Sequence, residues 1–138
     1  MTFEEWFNGW GFQNFKAHEL TRYFGRNKND CPPAEYWDRI VPALKILDEL
    51  RNVLQQPITI TSSYRSPEYN QSVGGAKYSQ HLQFRALDFQ AKNTTPHETY
   101  KILKEWRSSN MFRGGLGLYS TFVHIDTRGY NATWGLGV

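Results

Sequence analysis

Four histidines in 138 residues are few enough to weigh one by one. His18 falls in a helical N-terminal region and His97 in the first turn of a later helix, and both read as surface or capping residues. His81 and His124 keep different company. His81 closes a long polar loop, and seven residues on, Asp88 stands between Leu87 and Phe89 inside an apolar strand. A carboxylate in such a place needs a hydrogen-bond partner or a cation. His124 lies mid-strand with Val123 and Ile125 pointing to the other face, so alternation groups Phe122, His124 and Asp126 on one face. Two histidines and an aspartate on short elements of one small sheet can form a three-ligand zinc site with an open fourth position, the arrangement of catalytic zinc. A closed structural site takes four ligands, generally with several cysteines, and this chain has only Cys31. Spacing alone equally allows a metal-free reading, with two hydrogen-bonded core histidines and Asp88 as a turn or cap carboxylate.

The elements that must position these residues follow from patterning. Thr2-Phe3-Glu4-Glu5 is a capping box opening a short helix that ends at Gly9. A second short helix is expected within residues 14–23, and Gly25 to Pro33 is a loop by composition. From Ala34 to Gln55, Ile40, Leu44, Leu47 and Leu54 share a helical face, and Pro42 divides or kinks that helix. The period then changes. Ile58-Thr59-Ile60-Thr61 alternates as a strand, residues 64–80 read as a long loop, and Arg85 to Phe89 as a second strand. Thr95-Pro96-His97-Glu98 caps a helix expected to reach Ser108. Two short strands, Gly115–Tyr119 and Phe122–Asp126, are joined by a tight turn at Ser120-Thr121. The expectation is a single α+β domain over residues 1–138: a helical part over 1–55, then over 56–138 a small, mostly antiparallel sheet of about four strands carrying the site.

Composition narrows the function classes. Aromatics at 16% (five Trp, eight Tyr, nine Phe) exclude intrinsic disorder. No apolar run is long enough for a membrane span, and the N-terminus lacks the layout of a signal peptide, so synthesis in the cytoplasm is expected. Sixteen Lys and Arg against thirteen Asp and Glu give a formal +3, which mildly favours anionic partners. There is no basic stripe or nucleic-acid-reading motif, so no nucleic-acid partner is expected.

Longer words in the chain resemble one family. Ser62-Ser63-Tyr64-Arg65-Ser66-Pro67-Glu68-Tyr69-Asn70, Val73 to His81, Ala86-Leu87-Asp88 and Phe122-Val123-His124-Ile125-Asp126 occur in order. They resemble the zinc D-alanyl-D-alanine peptidases, which cut peptidoglycan stem peptides or cross-links and share a superfamily with lysostaphin and the hedgehog signalling domain. The likeness spans roughly residues 13–134. It is nearest to the Val-His-Ile-Asp subgroup, followed by a tryptophan such as Trp134, which includes murein endopeptidases and phage lytic enzymes.

The resemblance implies a hedgehog/D-Ala-D-Ala peptidase-like fold and a Zn2+ ion on His81, Asp88 and His124. It also implies a monomer acting on peptidoglycan at the cell wall, after release from a cell or as part of a phage particle. Arg65 matches the family arginine that faces substrate, and Ser79 the serine before the first ligand. Two positions depart from the pattern. Phe84 stands where the family has glycine, so the backbone is expected to be built differently there. Thr121 stands where better-known members carry a catalytic acid. Asp126 is the remaining carboxylate for a proton shuttle, or else a partner that orients a ligand. The alternative to an enzyme is a non-catalytic zinc-binding module of the same fold.

Overall fold

The computed structural model describes residues 1–137. Thr2 and Glu5 cap one another's backbone at the start of α1 (Phe3–Gly9) as the sequence predicts. Such a cap stabilises a helix by about 1 kcal/mol. The second helix is a single turn, α2 (His18–Thr21), shorter than the stretch expected. Pro42 acts as a divider. Ala34–Ile40 winds as a 3-10 helix, and α3 (Val41–Leu54) begins with the proline in its first turn, where the missing N–H costs nothing.

The sheet follows: β1 (Ile58–Ser62), β2 (Ala86–Ala91), β3 (Gly115–Leu118), β4 (Val123–Asp126) and β5 (Ala132–Gly135), with α5 (Pro96–Ser108) between β2 and β3. Strand order is β1-β2-β4-β3-β5, antiparallel except for the parallel pair β3–β5. Among the described residues the count is therefore five, against the expected four or so. β5 carries one large apolar residue, Trp134, among Ala, Thr and Gly, so the alternation that marks a strand is faint. Arg107, buried on α5, holds this edge strand by donating to the carbonyls of Gly114 and Ala132 at 2.9 Å each.

Residues 64–80 are also more ordered than a loop. Ser66 caps α4 (Pro67–Ser72) by accepting from the Tyr69 N–H, and Pro67 takes the first turn. A short 3-10 turn, Gln80–Gln83, then carries His81.

Leu87, Phe89, Leu116, Leu118, Val123 and Ile125 share one buried core with Leu44, Leu47 and Leu50 of α3 and Leu103 of α5. The opposite sides of β2, β3 and β4 bear the polar residues of the site. Register puts these in one row across the sheet: Ser62 pairs with Asp88, Asp88 with His124, His124 with Gly117 and Gly117 with Trp134. Among the described residues, no helix is long and apolar enough to cross a membrane.

Candidate metal centre

His81, Asp88 and His124 offer ligand atoms that all lie within 4.8 Å of one another, and all three side chains are buried. His18 and His97 are exposed and far from this cluster in role. The rings of His81 and His124 meet edge to face with centroids 5.2 Å apart.

Hydrogen bonding behind each histidine decides which nitrogen looks inward. His81 Nδ1 lies 2.6 Å from the Ser63 carbonyl oxygen. A carbonyl only accepts, so Nδ1 carries the proton and Nε2 keeps its lone pair. That Nε2 is buried, lies 3.1 Å from Asp88 Oδ1, and makes no hydrogen bond. For His124, Nε2 faces Asp126 Oδ2 at 2.7 Å, which leaves Nδ1 directed at Asp88 Oδ1 at 2.9 Å. A donor to the rear and a lone pair to the front is the tautomer a metal ion requires; His81 has it, and His124 takes it once Nδ1 gives up the proton it can share with Asp88. Without a metal, a proton on His124 Nδ1 can bridge to Asp88, but the His81 lone pair still faces that carboxylate with nothing between them; a cation there would satisfy all three atoms. The orphaned Nε2 of His81 and this N, N, O donor set fit zinc.

The electrostatics agree. Burial would raise the Asp88 carboxyl, but its interactions with His81 and His124 outweigh that and hold it well below the usual carboxylate range. Burial pushes His81 down, favouring the neutral ring that binds metal. Burial would lower His124 too, yet its hydrogen bonds with Asp126 and Asp88 raise it above an ordinary histidine. A proton on His124 and a metal ion therefore compete for the same lone pair.

Asp126 is fully buried. Its Oδ1 accepts from the N–H of Gly115 at 2.8 Å and from Arg128 Nε at 2.9 Å, and its Oδ2 from His124 and from Arg128 Nη2, each at 2.7 Å. It sits behind His124 and does not line the cleft, so the shuttle role finds no support in its placement. The carboxyl lies well below the usual range: burial opposes this, and the bonds to His124 and Arg128 overcome it. Thr121 is exposed at the β3–β4 turn and is also outside the cleft.

Arg65 reaches the metal site from the other wall. Its backbone N–H donates to the His81 carbonyl at 3.1 Å, coupling the two residues directly. Its Nη2 lies 3.6 Å from Asp88 Oδ2 and its Nη1 donates to Asn70 Oδ1 at 3.3 Å. Asn70 also donates to the Ala76 carbonyl, and a Cβ on Gly75 would stand 2.0 Å from Asn70 Oδ1, so only glycine fits there. Asn29, buried, joins the two ends of this wall by donating to the Tyr64 carbonyl and accepting from the Ser66 N–H. Ser79 spends its oxygen on the His81 N–H, capping the turn that presents the ligand.

Phe84 corrects an expectation. Its φ of +55° lies in the left-handed region that favours glycine, so the backbone takes the glycine-like course despite the side chain. The fully buried ring, in contact with Phe3, Phe24 and Tyr64, offsets the local strain.

Asn29, Asn70, Arg128 and the glycines of β3 were not visible as site residues in the sequence. One signal was present. Gly115-Leu116-Gly117-Leu118 alternates glycine and leucine, which leaves one strand face bare beside the ligands. A Cβ on Gly117 would meet Trp134 Nε1 at 2.6 Å, and one on Gly115 would meet Asp126 Oδ2 at 2.4 Å.

No individual curated protein matches the sequence significantly. The family model described as Peptidase M15 matches residues 13–126, most of the chain and all three ligand candidates. With that match laid over a buried His-Asp-His cluster at the floor of a cleft, the chain belongs to the M15 peptidases, the metallopeptidase family of the zinc D-alanyl-D-alanine peptidases.

Proposed function

We propose that this protein is a zinc-dependent peptidase of peptidoglycan, hydrolysing peptide bonds of stem peptides or cross-links that involve D-amino acids. The observation that carries the reading is the buried, unpartnered Nε2 of His81 aimed at Asp88 and His124 beneath an open cleft of about 600 Å3. Zinc bound there supplies Lewis acidity, polarising a carbonyl and making a water more acidic.

The chain's own residues do the rest. His81 and His124 are held in the right tautomers by the Ser63 carbonyl and Asp126. Arg65 directs a fixed guanidinium toward the same floor, where it stabilises negative charge that develops on the attacked carbonyl oxygen. Asp126 is a positioning residue for His124. Tyr119 and Phe122, stacked at 4.3 Å, give the cleft one aromatic flank. A protein of this kind acts at the wall after release, as phage lysis or virion enzymes do, and the formal +3 draws it to an anionic polymer.

A second reading, a zinc-bearing module without turnover, is favoured by one observation. Among the described residues, Asp88 is the only carboxylate lining the cleft. The deciding experiment incubates the purified protein with defined muropeptides, with and without a chelator, and reads products by mass. Chelator-sensitive cleavage at one bond type is expected. Zinc-loaded protein that leaves every muropeptide intact would overturn the peptidase reading in favour of the module.

A further inference from the structure

Arg128 is the cation of the cleft that neither the motifs nor the metal accounts for. It lies on the loop after β4 and spends Nε and Nη2 on Asp126, at 2.9 and 2.7 Å. A guanidinium has five N–H donors, and Nη1 is not spent on that pair; its other polar neighbour is the Tyr130 side chain, whose ring centroid lies 5.7 Å from the guanidinium carbon. The indole of Trp134 lies with its centroid 5.1 Å from the Arg128 guanidinium carbon, and the same ring is 5.1 Å from His124. Trp134 is itself pinned, donating through Nε1 to the Tyr119 hydroxyl at 2.9 Å.

The seat for this pair is built into β3. A Cβ on Gly115 would fall 2.9 Å from both Arg128 Nη2 and Trp134 Cη2, and one on Gly117 would strike the indole edge. The fork is therefore held in place before any substrate arrives, which lowers the cost of binding an oxyanion. Arg65, Lys77 and Arg128 line the cleft against the single carboxylate of Asp88, which belongs to the metal site. Even with Asp126 set against Arg128, the cleft stays positive, and among the described residues no anion complements it.

We propose that Arg128, backed by Trp134, binds a carboxylate that the peptide substrate carries away from the bond that is cut, so that acidic peptides are selected over their amidated counterparts. This rests on the peptidoglycan-peptidase reading and names the feature of the stem peptide that the site selects. Arg65 serves the reacting carbonyl, and Arg128 serves the remote anchor. Arginine suits that task because its planar fork can grip Asp126 with one edge and a second carboxylate with the remaining donors.

The test uses zinc-loaded protein and two synthetic stem peptides that differ only in whether a carboxylate away from the scissile bond is free or amidated. Stopped-flow tryptophan fluorescence reads binding before turnover, so the result does not depend on cleavage. The wild-type protein should bind the free acid at least about tenfold more tightly, the size of one hydrogen bond to a charged partner. Arg128→Gln should abolish that preference, and Arg128→Lys, which still neutralises Asp126, should lose most of it while keeping its zinc. Equal binding of the two peptides by the wild type would overturn the carboxylate subsite and leave the peptidase reading standing. So would an undiminished preference in either variant, or a variant that loses zinc and weakens both peptides alike, since Arg128 would then only prop Asp126. Binding of neither peptide by the wild type would overturn both readings.

Discussion

The two walls of the cleft are made in different ways. The sheet wall takes its geometry from register: Asp88, His124, Gly117 and Trp134 occupy one row across β2, β4, β3 and β5, and each backbone bond in the ladder sets the next side chain. The loop wall has no ladder. Arg65, Asn70 and His81 are placed by side chains reaching backbone, through Asn29 to Tyr64, Asn70 to Ala76 and Ser79 to His81. A ladder spreads its load over many equivalent bonds, whereas the loop wall depends on a few buried amides, each costly to leave unpaired. In the proposed reading two of the three metal-ligand candidates, Asp88 and His124, stand on the sheet wall, and substrate is met from both walls, by Arg65 on one and by Arg128 with Trp134 on the other. His81 is the exception among the ligand candidates, presented by the loop wall.

That exception supplies the sharpest way to break the comparison. His81→Ala should lower zinc affinity by about 10²-fold or more, because one of three protein ligands is gone. Metal analysis after dialysis should fall from near one zinc per chain to well below it. Retention of full zinc would remove His81 from the site.

Phe84→Gly probes how the loop wall is held up. Relief of the left-handed strain is worth roughly 1–2 kcal/mol, while loss of a buried phenylalanine ring costs about 3–5 kcal/mol. The net should be a clear fall in melting temperature, with zinc stoichiometry unchanged in the folded protein. A rise in melting temperature would mean that strain, not packing, dominates at this position.

Arg65→Lys separates substrate handling from metal binding. The charge is kept but the fork that meets Asn70 and faces Asp88 is lost. Turnover on a muropeptide should drop by about 10²-fold, with zinc content and melting temperature nearly constant. Equal turnover would show that this arginine contributes charge alone.

Asp126→Asn makes the matching change on the sheet wall and has the smallest effect. Zinc affinity should weaken by about 10–100-fold, the usual cost of losing a residue that orients a ligand. Activity should then recover when zinc is added in excess. Normal zinc affinity with activity that stays low would restore Asp126 as the proton shuttle.

Much of this could be read from the chain before any coordinates. Both capping boxes and the proline that divides the long helix are local signals, and the structure repeats them. The apolar positions of β2 and β4, Leu87, Phe89, Val123 and Ile125, do face the core, though burial runs on unbroken through Asp88, His124 and Asp126 on the other side. Local chemistry also marked His81, Asp88 and His124, because an aspartate between Leu87 and Phe89 demands a partner wherever the chain goes. Helix α4 carries its own start signal, Ser66-Pro67-Glu68, inside a stretch whose overall composition is loop-like and outweighs it.

What the sequence by itself determined is therefore most of the inventory: the elements with strong local signals, though not β5, the residues chemically out of place in them, and the family they resemble. Only the tertiary structure decided how those residues face one another. Asp126 shares a strand face with His124, and nothing in the spacing says whether it looks into the cleft or behind the ring; the Gly115 N–H and the Arg128 fork turn it behind. Trp134 meets Arg128 because a parallel edge strand, distant from His124 in hydrogen bonding, is seated over two bare glycines. Local propensity acts over a few residues, whereas tautomers, orphaned lone pairs and the charge of a cleft arise from atoms far apart in sequence that strand pairing on one wall and side-chain-to-backbone bonds on the other bring together.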